Sequence, residues 1–244
     1  MLQPTQPLDV ALGLPGSRIA PWRIDLGVAA FGLLALLAWD STGLDLSVVR
    51  LWGDAAGFAL REHWLTSRLL HEGGRAVAWG LALMLLIHAL RPRSGLWPEQ
   101  SRRERWVWLA STVFCVLLIP LLKRNSTTSC PWDLAEFGGL AQYVSHWRFG
   151  LADGGPGRCF PSGHASAAFA FFSGYFALRR AYPGAAKAWL GGVLIAGLLF
   201  GWAQMARGAH YPSHTLWTAW VCWTACALGT GLAGIGTQRR PDQG

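Results

Sequence analysis

Charge is scarce in this chain. Asp, Glu, Lys and Arg make up only 14% of its 244 residues, while hydrophobic residues make up 52% and mean hydropathy is positive. Several apolar runs approach the roughly 20 residues that a helix needs to cross a bilayer. Together these place the chain among polytopic helical membrane proteins. Lysine is nearly absent: of 21 basic residues only Lys123 and Lys187 are lysines. Acidic residues number 13 against the 21 basic ones, which leaves a net charge of +8. Such a charge fits nucleic-acid binding only when it forms one patch. Here the basic residues gather between apolar segments, which fits membrane topology and argues against a nucleic-acid partner. The first 22 residues are Pro-rich and polar and lack the basic, apolar and small-residue order of a cleavable signal. No internal repeat is present, and the Gly-rich run 149–157 lacks a Walker pattern, so it reads as a flexible loop.

What is abundant supports the same class. The 15 tryptophans cluster mainly near the ends of apolar segments, as an interfacial belt does. The hydropathy pattern predicts an all-α fold with six transmembrane helices, over about 26–39, 76–90, 106–122, 164–178, 188–205 and 212–232. Partial helical spacing over 45–60 and 64–70 predicts peripheral amphipathic helices on the membrane or the bundle. The expected organisation is a polar segment 1–22, a membrane domain 23–235 and a cytoplasmic tail 236–244. Residues 91–105 and 179–187 are rich in Arg and Lys, whereas the loop 124–163 carries three Arg in 40 positions. The basic side is therefore expected to be cytoplasmic, with both termini, and the loops after the third and fifth spans face outward.

Those two outward loops hold the chemistry. Lys123 closes the third span. Cys159-Phe160-Pro161-Ser162-Gly163-His164 opens the fourth, and Gln204 to His214 links the fifth to the sixth. Lys123 offers a point charge and Arg207 a forked guanidinium for phosphate oxygens. The N–H groups of Ser162 and Gly163, ahead of a helix, are candidates to meet an anion. One imidazole can attack phosphorus while a second protonates the leaving oxygen, without a metal or other cofactor. Each feature also has a plainer reading: Lys123 as a snorkelling anchor, Ser162-Gly163 as an ordinary helix start, His214 as filler of a first turn. His63, His71, His88 and His146 match no pattern and read as structural or interfacial. Cys115, Cys222 and Cys226 lie inside apolar segments and read as core residues. Cys130 and Cys159 flank the polar loop and pair as a disulfide if that loop faces an oxidising compartment; the sequence leaves this open.

With these residues in view, the chain resembles the type 2 phosphatidic acid phosphatase family, integral-membrane phosphatases whose fold is shared with vanadium haloperoxidases. The family pattern is Lys-x6-Arg-Pro, then Pro-Ser-Gly-His, then Ser-Arg-x5-His-x3-Asp. The blocks here read Lys123-x6-Cys130-Pro131, Pro161-Ser162-Gly163-His164 and Ala203-Gln204-x5-His210-x3-His214. The resemblance spans about residues 75–232. It implies that His210 is the nucleophile and His164 the general acid, and that Lys123, Ser162 and Gly163 hold the phosphoryl group. It also implies a lipid phosphate or diphosphate as substrate. Three departures stand out. Cys130 and Gln204 occupy the two Arg positions, for which Arg124 and Arg207 are candidate substitutes. His214 occupies the Asp position and is a catalytic candidate that can accept a hydrogen bond from His210 as a neutral ring; Asp133 is a candidate substitute. A phosphotransferase using the same site, or a lipid- or anion-binding protein without turnover, are the alternative functions.

Overall fold

The computed structural model describes residues 21–91 and 97–235. The expected N-terminal segment up to residue 20, Arg93 and the tail from residue 236 lie outside the described residues. The fold is mostly helical, as the hydropathy pattern predicts.

Four helices are long and apolar enough to cross a membrane: α1 (Pro21–Thr42), the continuous stretch Leu65–Leu90, α4 (Arg102–Arg124) and α7 (Pro183–Ala206). Their outward faces carry large apolar side chains, among them Phe31, Leu34, Val77, Leu117, Ile195 and Leu198. A water-facing helix would place polar residues there. The expected second span lengthens because a π-helix, Leu65–Gly73, runs straight into α3 (Gly74–Leu90). Over 45–60 the expected amphipathic helix shrinks to one short helix, α2 (Leu44–Val49). A small antiparallel hairpin follows, pairing Gly53–Asp54 with Gly57–Phe58. The reason is local: Gly57 takes φ +103°, and the Asp54 carboxylate accepts the Ala56 N–H at 2.8 Å, which closes a turn where a helix would continue.

The expected fourth span is broken into α5 (Ser166–Phe169) and α6 (Phe172–Leu178). The Phe171 carbonyl at the break accepts the Trp189 indole N–H at 2.7 Å, so the interruption leaves no orphan there. The sixth expected span is α8 (Pro212–Leu232), which is not among the four helices long and apolar enough to cross a membrane. It packs against α1, α4, α5, α6 and α7, so its neighbours are protein on most sides. That position explains its polar content. Thr218 Oγ1 donates to the Ser162 carbonyl at 2.9 Å, and Trp220 Nε1 to the Ala29 carbonyl of α1 at 2.8 Å.

Small residues set the close helix contacts. A Cβ on Gly197 would stand 2.1 Å from the Phe169 ring, and one on Gly201 would stand 2.4 Å from Thr215. Both fasten α7 to the elements that carry the Ser-Gly-His and His-x3-His blocks. At the opposite end of the bundle, Arg179 forks onto Asp25 at 2.7 and 2.8 Å, and Arg180 reaches Glu104 at 2.8 Å. His88 lies in the core near that end, bonded to Gln100 at 2.8 Å, and is structural as expected.

Candidate active site

All three sequence blocks meet at one end of the bundle. The last turn of α4 brings Lys123 over the Ser-Gly-His turn, with its Nζ 3.8 Å from where a Gly163 Cβ would be. Ser162 is fully buried; its N–H donates to the His214 carbonyl at 3.1 Å and its Oγ faces the Ala165 N–H at 3.5 Å. These bonds lock the second block to the third. They also correct the expectation for Ser162: its N–H is already spent, and the helix beyond it has only four residues, too short for a strong dipole.

The nucleophile candidate is held from behind. His210 is 4% exposed, in the link between α7 and α8. Its Nδ1 faces Nδ1 of His214 at 3.4 Å and Sγ of Cys159 at 3.5 Å. Cys159 is bonded to Cys130 in a disulfide, so its sulfur has no proton to give. Either ring can be the donor in this contact; with His210 Nδ1–H donating to His214, the His210 Nε2 lone pair is left for chemistry. Burial first, then the Lys123 ammonium, hold the His210 imidazole well below its usual range, so the ring is neutral near pH 7.

His164 is positioned by the π-helix. Its Nε2 lies 3.3 Å from the Leu70 carbonyl, and its ring stacks on His71 at 4.4 Å. Burial and the neighbouring His71 ring lower its pKa to about 4. Phe200 covers another side of the ring at 5.4 Å. His71 matched no pattern in the sequence and is here part of the site. Only its place on a segment with partial helical spacing could have hinted at this.

The departures from the family pattern are resolved differently from expectation. Cys130, at the first Arg position, carries no charge; its disulfide instead ties the first block to the second beside His210. The Arg124 side chain is exposed and makes no hydrogen bond or ion pair with the described residues. Gln204 is 3% exposed with an unpartnered side-chain nitrogen, so no cation stands at the second position either. Arg207 lies at the site rim, where its Nε donates to the Arg61 carbonyl at 2.8 Å and its charge acts on both His71 and His164. Asp133 does not orient His210. Its carboxylate accepts the Cys130 N–H at 3.2 Å and caps the 3-10 turn Pro131–Asp133. Arg61 lies over the neighbouring Trp132 ring at 4.6 Å.

The loop 124–163 is fixed by its own polar bonds. Asp153 accepts from the Ser129 N–H at 2.6 Å, the Ser129 hydroxyl at 2.8 Å and the Gly155 N–H at 3.0 Å. The Gly-rich run is thus anchored at Asp153. The hairpin closes the site from the other side: Phe58 packs on Phe137 at 4.9 Å and slides under Gly208, where a Cβ would stand 2.4 Å away. Gly208 has φ +75°, which also favours glycine.

The sequence pattern of the PAP2 superfamily matches residues 105–233, more than half of the chain. The chain belongs to the PAP2 superfamily. No curated protein and no solved structure matches it. The matched stretch contains Lys123, the Ser-Gly-His turn and the His-x3-His link, while His71 and Arg61 lie before it. Members of the superfamily are phosphatases, so membership assigns this chain, in general terms, to phosphatases of lipid or other phosphoester substrates.

Proposed function

We propose that this protein hydrolyses a lipid phosphate or diphosphate at the outer face of a bacterial-type inner membrane, through a phosphohistidine on His210. The observation that carries this reading is the orientation of His210, with Nδ1 turned to His214 and Nε2 left for phosphorus, beside Lys123 and His164. In the proposed first step the Nε2 lone pair forms the N–P bond. The P–O bond breaks, and the leaving oxygen takes a proton from His164. In the second step His164 accepts a proton from water as the water oxygen displaces His210. Lys123 and the Gly163 turn hold the phosphoryl oxygens, and Arg207 at the rim draws the anion in.

An apolar groove favours an amphiphile over a soluble ester. A cavity of about 460 Å³ between α3 and α7 is lined by Gly74, Val77, Ala168, Val193, Ala196 and Phe200. Phe200 also touches His164, so the groove leads to the reacting end. In this reading an acyl or prenyl chain lies in the groove with its phosphate at the histidines. Polyprenyl diphosphate, phosphatidylglycerol phosphate, phosphatidic acid and phosphorylated lipid A are the candidates. The reading keeps six membrane crossings, with α5–α6 and α8 as the two crossings surrounded mostly by protein. The termini are then cytoplasmic and the site faces the periplasm or exterior. No metal is required by these steps.

One observation favours the second reading, anion binding without turnover: neither Arg position of the family pattern carries a cation. Trapping separates the two. Rapid denaturing quench with ³²P-labelled phosphatidic acid or farnesyl diphosphate is expected to leave acid-labile, base-stable label on the wild type and none on His210→Ala. Tight binding of these lipids with no labelled protein and no phosphate release would support the binding reading instead.

A further inference from the structure

A histidine that bonds phosphorus gains positive charge, and a neutral His214 offsets little of it. Two buried polar atoms behind the site have no partner among the described residues: Nε2 of His214 and Oδ1 of Asp40. His146 lies between these residues. Its ring meets His214 edge to face, with centroids 5.9 Å apart, and its Nε2 lies 3.2 Å from Asp40 Oδ2. Asp40 and His146 side chains are 4% and 7% exposed. The pair is held firmly. Phe160 stacks flat on His146 at 4.3 Å, while Trp147 and Trp217 each donate an indole N–H to Asp40 Oδ2 at 2.9 Å.

We propose that Asp40, acting through His146 and His214, is the carboxylate that orients and balances His210. The inference rests on the reading of His210 as nucleophile. It makes Asp40, His146 and His214 positioning residues. Two hydrogen-bonded pairs, His210–His214 and His146–Asp40, face each other across a ring contact. His210 Nδ1–H donates to His214 Nδ1, which puts the His214 proton on Nε2. His146 Nε2–H donates to Asp40, which leaves its Nδ1 as an acceptor. His146 and His214 meet edge to face rather than through a hydrogen bond, so the carboxylate reaches His214 through the packed His146 ring. No proton leaves the row during attack: Asp40 stays ionised, and its field strengthens the His210 Nδ1–H bond as the ring becomes cationic.

Other charged groups do not supply this role. Asp45 is saturated, with Oδ1 accepting from Trp39 Nε1 at 2.9 Å and the Ser213 N–H at 3.0 Å, and Oδ2 accepting from the Ser213 hydroxyl. It pins the start of α8. Asp133 caps its own turn. On the phosphate side His210 faces Lys123 and His164, and behind it the Cys159 sulfur; His214 also packs on Tyr211 at 5.0 Å. None of these is an anion near pH 7.

Nitrogen NMR of the full chain in detergent, with ¹⁵N-histidine and peaks assigned by single substitutions, tests the proposal without substrate. The wild type is expected to hold His210 as the Nδ1–H tautomer. Asp40→Asn and His146→Gln are each expected to mix the tautomers and to lower the His210 midpoint by about one pH unit. With dioctanoyl phosphatidic acid, both variants are expected to lose kcat on the order of tenfold or more, with KM nearly unchanged. An unchanged His210 tautomer and midpoint in both variants overturns the proposal, even where kcat falls. A wild type that releases no phosphate counts against the phosphatase reading alone, because the NMR comparison needs no turnover.

Discussion

His210 and His164 are both neutral near pH 7, which suits a nucleophile and handicaps an acid. Burial holds His164 at about 4, so its proton must come with the anion, whose charge favours the imidazolium. Activity is therefore expected to be acid-favoured, with kcat/KM falling as pH rises from about 5 to 8. A flat profile over that range would argue against His164 as the acid. The same shifts have a stability consequence. Between about 4 and 6.5 the unfolded chain binds protons at His164 and His210 that the folded chain does not, so stability drops as pH falls through that window. Thermal unfolding in detergent at pH 7.5 and 5 is expected to show this drop, and His164→Gln to lessen it. At this scale the sequence was informative wherever chemistry is written as local spacing: Lys123, Ser162, Gly163, His164, His210 and His214 all reach the site. It read His71 and His146 as structural or interfacial and gave Asp40 no role, because each meets its partners through tertiary packing from a distant segment. It misled on Asp133, which is near in sequence and caps its own turn.

Elements position these residues through close contacts rather than through long regular helices. The π-helix carries His71 to the face of His164, and α7 closes on α5 through Gly197 and Phe169. Gly197→Ala forces a methyl to within 2.1 Å of the Phe169 ring. It is expected to cost about 1–3 kcal/mol and to reduce activity by shifting the Ser-Gly-His turn. Unfolding midpoint and turnover measured together check this; an unchanged midpoint would show that α5 yields freely. Hydropathy made α1, α3, α4 and α7 legible, since each has a wide apolar outer face. It could not show the break between α5 and α6, where the Trp189 indole satisfies the Phe171 carbonyl, nor the hairpin, whose cause is a turn at Asp54 and Gly57.

The molecule as a whole is polarised. Phosphate-type groups and the disulfide lie at one end, and the Arg179–Asp25 and Arg180–Glu104 pairs lie at the other. In the proposed orientation, with the basic end cytoplasmic, the disulfide would sit in an oxidising compartment, as structural disulfides do. A cysteine introduced at exposed Gln142, in an otherwise native chain in intact cells, is expected to react with a membrane-impermeant maleimide from outside. One introduced at exposed Arg102 is expected to react only after permeabilisation. The reverse pattern would invert the topology and place the site in the cytoplasm.

The central claim is most directly tested by phosphate release from purified protein in EDTA, across phosphatidic acid, phosphatidylglycerol phosphate, farnesyl diphosphate and lipid A phosphates, beside His210→Ala. The account predicts EDTA-resistant release from at least one lipid and a loss of at least about a thousandfold in the variant. Full activity in His210→Ala, or release abolished by EDTA in the wild type, would contradict it.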